Sequence, residues 1–166
     1  MDTHLFEQKR KSYMQIGKIY FWTATINSWM KLLEKDELKQ VVLNSLIHLT
    51  NKGKIDVFAF VIMPNHIHLI WRINELNGKE DAHISFLKFT AHEFKKMLVK
   101  TSPNGLEAYS VNANNKEYEF WQRDSLAILL YTREVAFQKL DYLNNNPLAE
   151  RWQLAINPSD HLYSSA

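Results

Sequence analysis

A chain of 166 residues, 46% of them hydrophobic and 13% aromatic, is long enough for one compact domain with a substantial core. The absence of cysteine excludes disulfides and thiolate metal sites, so any metal ion would need imidazole, carboxylate, carboxamide or water ligands. A net charge of +2 permits a nucleic-acid partner without demanding one. With no apolar run long enough to span a bilayer and no signal peptide at the start, we expect a cytoplasmic protein without a membrane partner.

Clusters of aromatic, β-branched and other apolar residues predict four strands. The predicted strands are residues 18–26, 55–63, 66–73 and a segment within 119–131 that is best supported over 126–131. The second is a nearly continuous apolar run, as in a central strand covered on both faces. Pro64 and Asn65 predict a tight turn after it, so the second and third strands should form a hairpin.

Helical spacing of apolar residues predicts three helices. They cover residues 37–51 with Asp36 as a cap, 84–100, and 132–145. Pro147 ends the last helix and should bias the preceding Asn146 away from helical geometry. The stretch 101–116 is rich in Ser, Asn, Gly and Pro and predicts a long loop, and the tail from Leu148 is expected to be irregular.

The order strand, helix, strand, strand, helix, strand, helix is that of a ferredoxin-like, split βαβ sheet with an added C-terminal helix. The predicted fold class is therefore α+β with a mainly antiparallel sheet. We expect a single domain over residues 1–166, with residues 1–17 as a flexible or peripheral N-terminal segment.

His66 and His68 lie two residues apart on the third predicted strand, so both imidazoles leave the same face. Two nitrogen ligands on one rigid strand make a natural half of a metal site. A lone pair of histidines at this spacing is more often structural. However, burying two polar rings on a central strand is costly without partners, and a metal ion would be one such partner.

Tyr142 and Asn146 lie four residues apart on the last predicted helix and share a face. A tyrosine hydroxyl beside a carboxamide could serve as a nucleophile beside a metal ligand. The helix by itself favours a simpler interpretation, in which Tyr142 belongs to the core and the asparagines before Pro147 form an ordinary helix stop.

Taken together, four stretches of the chain resemble the HUH single-tyrosine transposases, and in particular the IS200-like and REP-associated tyrosine transposases. The stretches are FVIMPNHIHLIW, ISFLKFTAHEFKKM, EFWQRD and KLDYLNNNPLAERW. The resemblance runs from about Tyr20 to the last residues. It implies His66 and His68 as metal ligands, Asn146 as a third ligand, and Tyr142 as the nucleophile.

The resemblance implies a transposase that cleaves and rejoins single-stranded DNA through a 5′-phosphotyrosine intermediate, with a divalent metal ion, magnesium or manganese, as cofactor. Its expected partner is a DNA hairpin with a flanking single-stranded guide sequence. IS200-like enzymes form homodimers in which the tyrosine helix of one subunit enters the active site of the other, whereas close relatives act as monomers. Both arrangements stay open for this chain.

Candidate DNA contacts lie on the basic side of the second predicted helix and after it. Lys88, Lys95 and Lys96 could contact phosphates, as could Arg123, which follows an aromatic residue, Trp121, that could stack on a base. Each of these side chains, taken singly, is more often a solvated charge or a core aromatic residue.

Two other functions stay open on the sequence. A noncatalytic RNA- or DNA-binding module could stack bases on strand aromatics such as Tyr20, Trp22 and Phe60, although core packing also explains them. A metal-dependent phosphodiesterase would use water as its nucleophile and leave Tyr142 a structural role.

Overall fold

The computed structural model describes residues 12–166. These residues form six strands and four α-helices. The strands are β1 (Ile19–Thr25), β2 (Ile55–Ile62), β3 (His66–Ile73), β4 (Ser110–Ala113), β5 (Lys116–Tyr118) and β6 (Leu126–Leu129). The helices are α1 (Asp36–Asn51), α2 (Ala82–Thr101), α3 (Pro103–Glu107) and α4 (Arg133–Asn145).

Four of the strands form one sheet in the order β2-β3-β1-β6, and each neighbouring pair is antiparallel. Helix α1 connects β1 to β2, and β3 lies between these two strands in the sheet. Helix α2 lies in the connection from β3 to β6, and β1 lies between those two strands. This is the split βαβ arrangement. The predicted α+β class with a mainly antiparallel sheet is confirmed.

The two faces of the sheet carry different helices because side chains alternate along each strand. The alternating set that includes Trp22 and Trp71 packs against α1 and α2, where Phe86 is also fully buried. The opposite set includes Phe21 and Ile70, which cluster with Leu143 of α4. The last helix therefore covers the face of β3 from which the histidines project.

The hydrophobic pattern predicted the bounds of the central elements closely, but the prediction of β2 as a central strand is wrong, because β2 lies at the edge of the four-stranded sheet. Strand β3 has the predicted bounds, and the six buried residues of α1 fall at the helical spacing from which the helix was predicted. They are Leu38, Val41, Val42, Ser45, Leu46 and Leu49. The turn after β2 also forms as predicted, with the Met63 amide donating to the His66 carbonyl at 2.8 Å.

The prediction of a long loop over 101–116 is wrong. Pro103 starts the short helix α3. In the first turn of a helix the N–H that proline lacks would have no hydrogen-bond partner in the helix, so the proline is tolerated. Strands β4 and β5 then form a hairpin. Aromatic packing holds this region in place: the Tyr109 ring stacks on Phe120 at 5.0 Å between centroids, and both residues are buried. Asn104 and Gly105 lie within α3 and Asn112 lies within β4, so only Asn114 and Asn115 form a connection, the turn between β4 and β5.

Two local predictions at helix ends are also wrong. Asp36 is the first helical residue, and Lys35 takes the capping position without a side-chain cap; the Asp36 carboxylate instead accepts from Lys39 Nζ at 2.9 Å. Asn146 keeps helical geometry (φ −56°, ψ −43°), although it precedes Pro147. A 3-10 turn, Asn146–Leu148, follows α4 directly and holds Pro147 near its start, where a proline is tolerated.

The N-terminal prediction falls partly on residues 1–11, which lie outside the described residues. In the described part of that segment, Met14 is buried in the core and the Gly17 amide donates to the Ile73 carbonyl at 2.8 Å. At the other end of the chain, the Ser165 amide donates to the Phe60 carbonyl at 3.0 Å, so the tail lies along the edge of β2. No described helix has the length and apolar character needed to cross a membrane.

Candidate active site

His66 and His68 lie side by side on β3, on the face covered by α4. They pair in register with Thr25 and Thr23 of β1 and are only 6% and 5% exposed. Their ring centroids are 4.7 Å apart, with the planes inclined by 71°. The predicted alternation of the strand therefore places both imidazoles in one buried location.

A neighbouring oxygen fixes the orientation of each imidazole ring. His66 Nδ1 lies 2.7 Å from Asn65 Oδ1, and His68 Nδ1 lies 2.8 Å from Thr23 Oγ1. An amide oxygen can only accept, so a neutral His66 carries its proton on Nδ1, and the same tautomer lets His68 donate to the threonine hydroxyl. In this tautomer Nε2 of each ring is unprotonated and carries a free lone pair. Imidazole binds metal ions through such a nitrogen.

Asn146 completes the cluster from the end of α4. It is 4% exposed, and its carboxamide lies close enough to His66 to favour the protonated ring. Nevertheless, Asn146 Oδ1 and His68 Nε2 are two of the buried polar atoms that find no hydrogen-bond partner among the described residues. Leaving such atoms unpaired is costly, and the presence of two of them in one small cluster with His66 indicates a site for a ligand.

Tyr142 lies beside this cluster and remains accessible. Its ring is 5.5 Å from the His68 ring and 6.0 Å from the Phe21 ring, centroid to centroid, yet the residue is 49% exposed. The structure thus brings Tyr142, His66, His68 and Asn146 together within one chain. Tyr142 and Asn146 both face the histidines because, as predicted, they share one face of α4.

Burial and nearby cations keep both imidazoles neutral. Burial lowers the pKa of His66 to about 4, with the positive charge of Arg151 adding to the effect. Burial lowers the pKa of His68 to about 3, and the charges of His66, Lys139 and Arg151 act in the same direction. Both rings are therefore in the metal-binding protonation state at neutral pH.

The donor set fits a divalent metal ion. The described residues contain no cluster of three His, Cys, Asp or Glu side chains, so the candidate ligands are two imidazoles and one carboxamide oxygen. Nitrogen and oxygen donors without thiolate suit manganese or magnesium, and manganese tolerates nitrogen better. Asn65 and Thr23, which orient the rings, match the supporting partners that metal-bound histidines usually have.

Two cations at this site were not predicted from the sequence. Lys139 Nζ lies 5.2 Å from the Phe21 ring centroid and 5.9 Å from that of Tyr142, and Arg151 lines the open cleft next to Tyr142. The three-residue spacing from Lys139 to Tyr142 on α4 was a usable signal. Nothing comparable marked Arg151, which lies beyond Pro147 in the tail.

The predicted DNA contacts lie elsewhere. Lys88, Lys95 and Lys96 are on α2, which packs on the opposite face of the sheet from α4, and Arg123 lines a cleft with Lys88. Each pairs with a carboxylate: Lys88 with Glu80, Lys95 with Glu117, Lys96 with Glu93 and Arg123 with Glu119. The structure does not bring these four residues to the histidine cluster, and their role in DNA binding stays a prediction.

The aromatic residues named as stacking candidates are mostly core residues. Trp121 is 7% exposed and donates to Thr90 Oγ1, and Tyr20 and Trp22 are buried against α1 and α2. Phe60 is half-buried beside the C-terminal tail. DNA or RNA bases could stack on the sheet only if these aromatic side chains were exposed, and the helices already cover most of them.

No protein-family model matches the chain, and no curated protein matches it. Among solved structures, the chain is similar to a REP-associated tyrosine transposase bound to a REP hairpin. The TM-score is 0.63, the sequence identity is 21%, and the match covers 97% of this chain and 82% of that chain. The similarity agrees with the resemblance found in the sequence. It shows that this chain has the fold of a REP-associated tyrosine transposase.

Proposed function

We propose that this protein is a DNA strand transferase that cleaves and rejoins single-stranded DNA, with Tyr142 as the nucleophile and a divalent metal ion on His66, His68 and Asn146. The observation that supports it best is the meeting of an exposed tyrosine with the unpaired His68 Nε2 and Asn146 Oδ1. The fold shared with a hairpin-bound tyrosine transposase supports DNA as the substrate.

In the proposed reaction the Tyr142 hydroxyl oxygen attacks the scissile phosphorus. A bond forms between that oxygen and phosphorus, the bond from phosphorus to the 3′ oxygen breaks, the phenol loses its proton, and the departing 3′ oxygen gains one. The product is a 5′-phosphotyrosine and a free 3′ hydroxyl. Because the linkage conserves the phosphodiester bond, the 3′ hydroxyl of another strand can reverse the step and join without ATP.

The protein residues prepare this reaction by placement. Neutral His66 and His68 and the Asn146 oxygen offer three donors, and a bound magnesium or manganese ion would supply Lewis acidity and charge neutralisation at the phosphate. Packing of α4 on the sheet holds Tyr142 beside these donors while its exposure leaves room for a DNA strand. Correct placement of a nucleophile is itself a large part of catalysis.

The test is formation of a covalent protein–DNA adduct. A 3′-labelled hairpin oligonucleotide with a randomised single-stranded flank is incubated with the protein and manganese and then resolved on a denaturing gel. We expect a labelled adduct that disappears in Tyr142→Phe and after chelation, because the protein retains the 3′ fragment through its 5′ phosphate. Tyr131→Phe is the matched control, since Tyr131 is 74% exposed and outside the site.

The same gel separates the alternatives. Metal-dependent cleavage without an adduct, surviving in Tyr142→Phe, would identify a phosphodiesterase that uses water. Binding of the oligonucleotide, measured by fluorescence anisotropy, without cleavage on the gel would identify a noncatalytic module. In the anisotropy measurement, loss of DNA affinity in Lys88→Gln or Arg123→Gln would support the predicted contacts on the α2 side.

A further inference from the structure

The aromatic residues of the site hold Lys139 next to the proposed nucleophile. Lys139 precedes Tyr142 by one helical turn, and its half-buried side chain extends over Phe21, which is buried beneath α4. Its Nζ lies 5.2 Å from the Phe21 ring centroid and 5.9 Å from that of Tyr142. Contact with two ring faces keeps the ammonium group on the His68 side of the site.

Arg151 stands on the His66 side. Its guanidinium carbon is 5.9 Å from the Trp152 ring centroid, and the Trp152 ring is 6.0 Å from that of His66. Arg151 lines an open cleft of about 450 Å³ whose other lining residues are Tyr142, Asn145, Asn146, Ala149 and Glu150. The cleft leads from solvent to the accessible side of the tyrosine.

These two cations have no carboxylate partner within residues 12–166, although Glu150 lines the same cleft as Arg151. By contrast, each of the four cations predicted as DNA contacts forms an ion pair with a carboxylate. Uncompensated positive charge around an open cleft attracts an anion.

We propose that Lys139 binds the scissile phosphate and Arg151 binds a neighbouring phosphate of the same DNA strand, an inference that rests on the proposed function. Lys139 is placed to act on the phosphate that Tyr142 attacks, because it contacts the Tyr142 ring. Arg151 lies over Trp152 on the His66 side of the site, so we assign it to the strand and not to the reacting atoms.

The two roles predict different defects. Binding of the hairpin oligonucleotide is measured by fluorescence anisotropy in the Tyr142→Phe background, over a range of salt concentrations. Lys139→Gln and Arg151→Gln should each weaken binding and reduce the slope of log K against log salt by about 0.7, the value for one phosphate contact on a single strand. With Tyr142 intact and DNA saturating, Lys139→Gln should also slow adduct formation at least tenfold, whereas Arg151→Gln should leave that rate within about threefold.

Lys139→Arg and Arg151→Lys should restore the salt slope, because they keep the charge. Lys52→Gln, which removes a charge at the end of α1, is the matched control and should change neither the slope nor the rate. Thermal midpoints confirm that each variant is folded. If both glutamine variants keep the slope of Lys52→Gln, the inference is overturned even when the wild-type protein forms the adduct. If the slopes fall as expected while the wild-type protein forms no adduct, the phosphate contacts stand and the proposed transfer reaction fails.

Discussion

The Tyr142 ring lies 5.5 Å from the His68 ring, with the two planes inclined by 68°, although one residue belongs to α4 and the other to β3. The contact depends on how α4 packs on the sheet. Leu143, the next residue on the helix, is fully buried in the cluster that contains Phe21 and Ile70.

Leu143→Ala should lower the free energy of unfolding by about 2–5 kcal/mol, because it leaves a cavity where α4 meets the sheet. It should also slow adduct formation by loosening the placement of Tyr142. Urea denaturation measures the first effect. Phe137→Ala, on the same helix but 51% exposed, is the control and should cost less than about 1 kcal/mol. Equal losses of unfolding free energy in the two variants would show that Leu143 does not hold α4 on the sheet.

Tyr142→Phe should change the free energy of unfolding by no more than about 0.5 kcal/mol, because the substitution removes only a hydroxyl from a half-exposed ring. The adduct should nevertheless disappear. Calorimetry and the denaturing gel, run on the same preparation, make the comparison. A large loss of stability would instead assign Tyr142 a structural role.

Manganese should stabilise the wild-type protein. A ligand at about one hundred times its dissociation constant adds about 2.7 kcal/mol to the free energy of unfolding when it binds only the folded state. Asn146→Leu and His68→Asn should each remove most of this gain, because each deletes one of the convergent donors. The readout is the unfolding midpoint with manganese and with a chelator. A gain that persists in both variants would place the ion elsewhere.

Thr23→Val should weaken manganese binding by about 10–100-fold, the usual effect of removing a residue that orients a metal-bound histidine. The threonine hydroxyl lies 2.8 Å from His68 Nδ1 and fixes the ring so that Nε2 faces the site. Thr23→Ser keeps the hydroxyl and should keep most of the affinity. Titration calorimetry gives the dissociation constants, and identical values for the two variants would contradict the role assigned to Thr23.

The metal-free protein should lose stability as the pH falls below about 6.5. Burial lowers the pKa of His66 to about 4 and that of His68 to about 3, whereas both histidines of the unfolded chain have the ordinary imidazole pKa of about 6.5. Between these values the unfolded state binds more protons, so the free energy of unfolding decreases with decreasing pH. For each histidine, the free energy of unfolding changes by at most about 1.4 kcal/mol per pH unit.

Urea unfolding at pH 7 and pH 5 in the presence of a chelator measures this loss. Replacing His66 and His68 together by Asn should reduce the pH dependence over that interval and leave the part that comes from His83, whose pKa burial also lowers. His48→Gln, a change at an exposed histidine of α1, should leave it as in the wild-type protein. A wild-type stability that does not change between the two pH values would show that the imidazoles are not held neutral by burial.

The sequence by itself determined the local structure at the centre of the fold. The spacing of hydrophobic residues determined the bounds of β3 and the buried face of α1, because strand alternation and helical spacing depend only on residues close together in the chain. The same local geometry placed His66 with His68 and Tyr142 with Asn146. Local rules were wrong over 101–116, where aromatic packing between Tyr109 and Phe120 orders a segment whose composition is typical of a loop.

Only the tertiary structure decided which face of the sheet α4 covers, and that choice joins the two pairs into one site. Helix packing depends on contacts between residues far apart in the chain, such as Leu143 with Phe21, which no local pattern encodes. The same packing brought Lys139 and Arg151 to the histidines and left the basic residues of α2 on the other face. Charge near a site is a property of the folded surface, and counting lysines along a helix does not determine it.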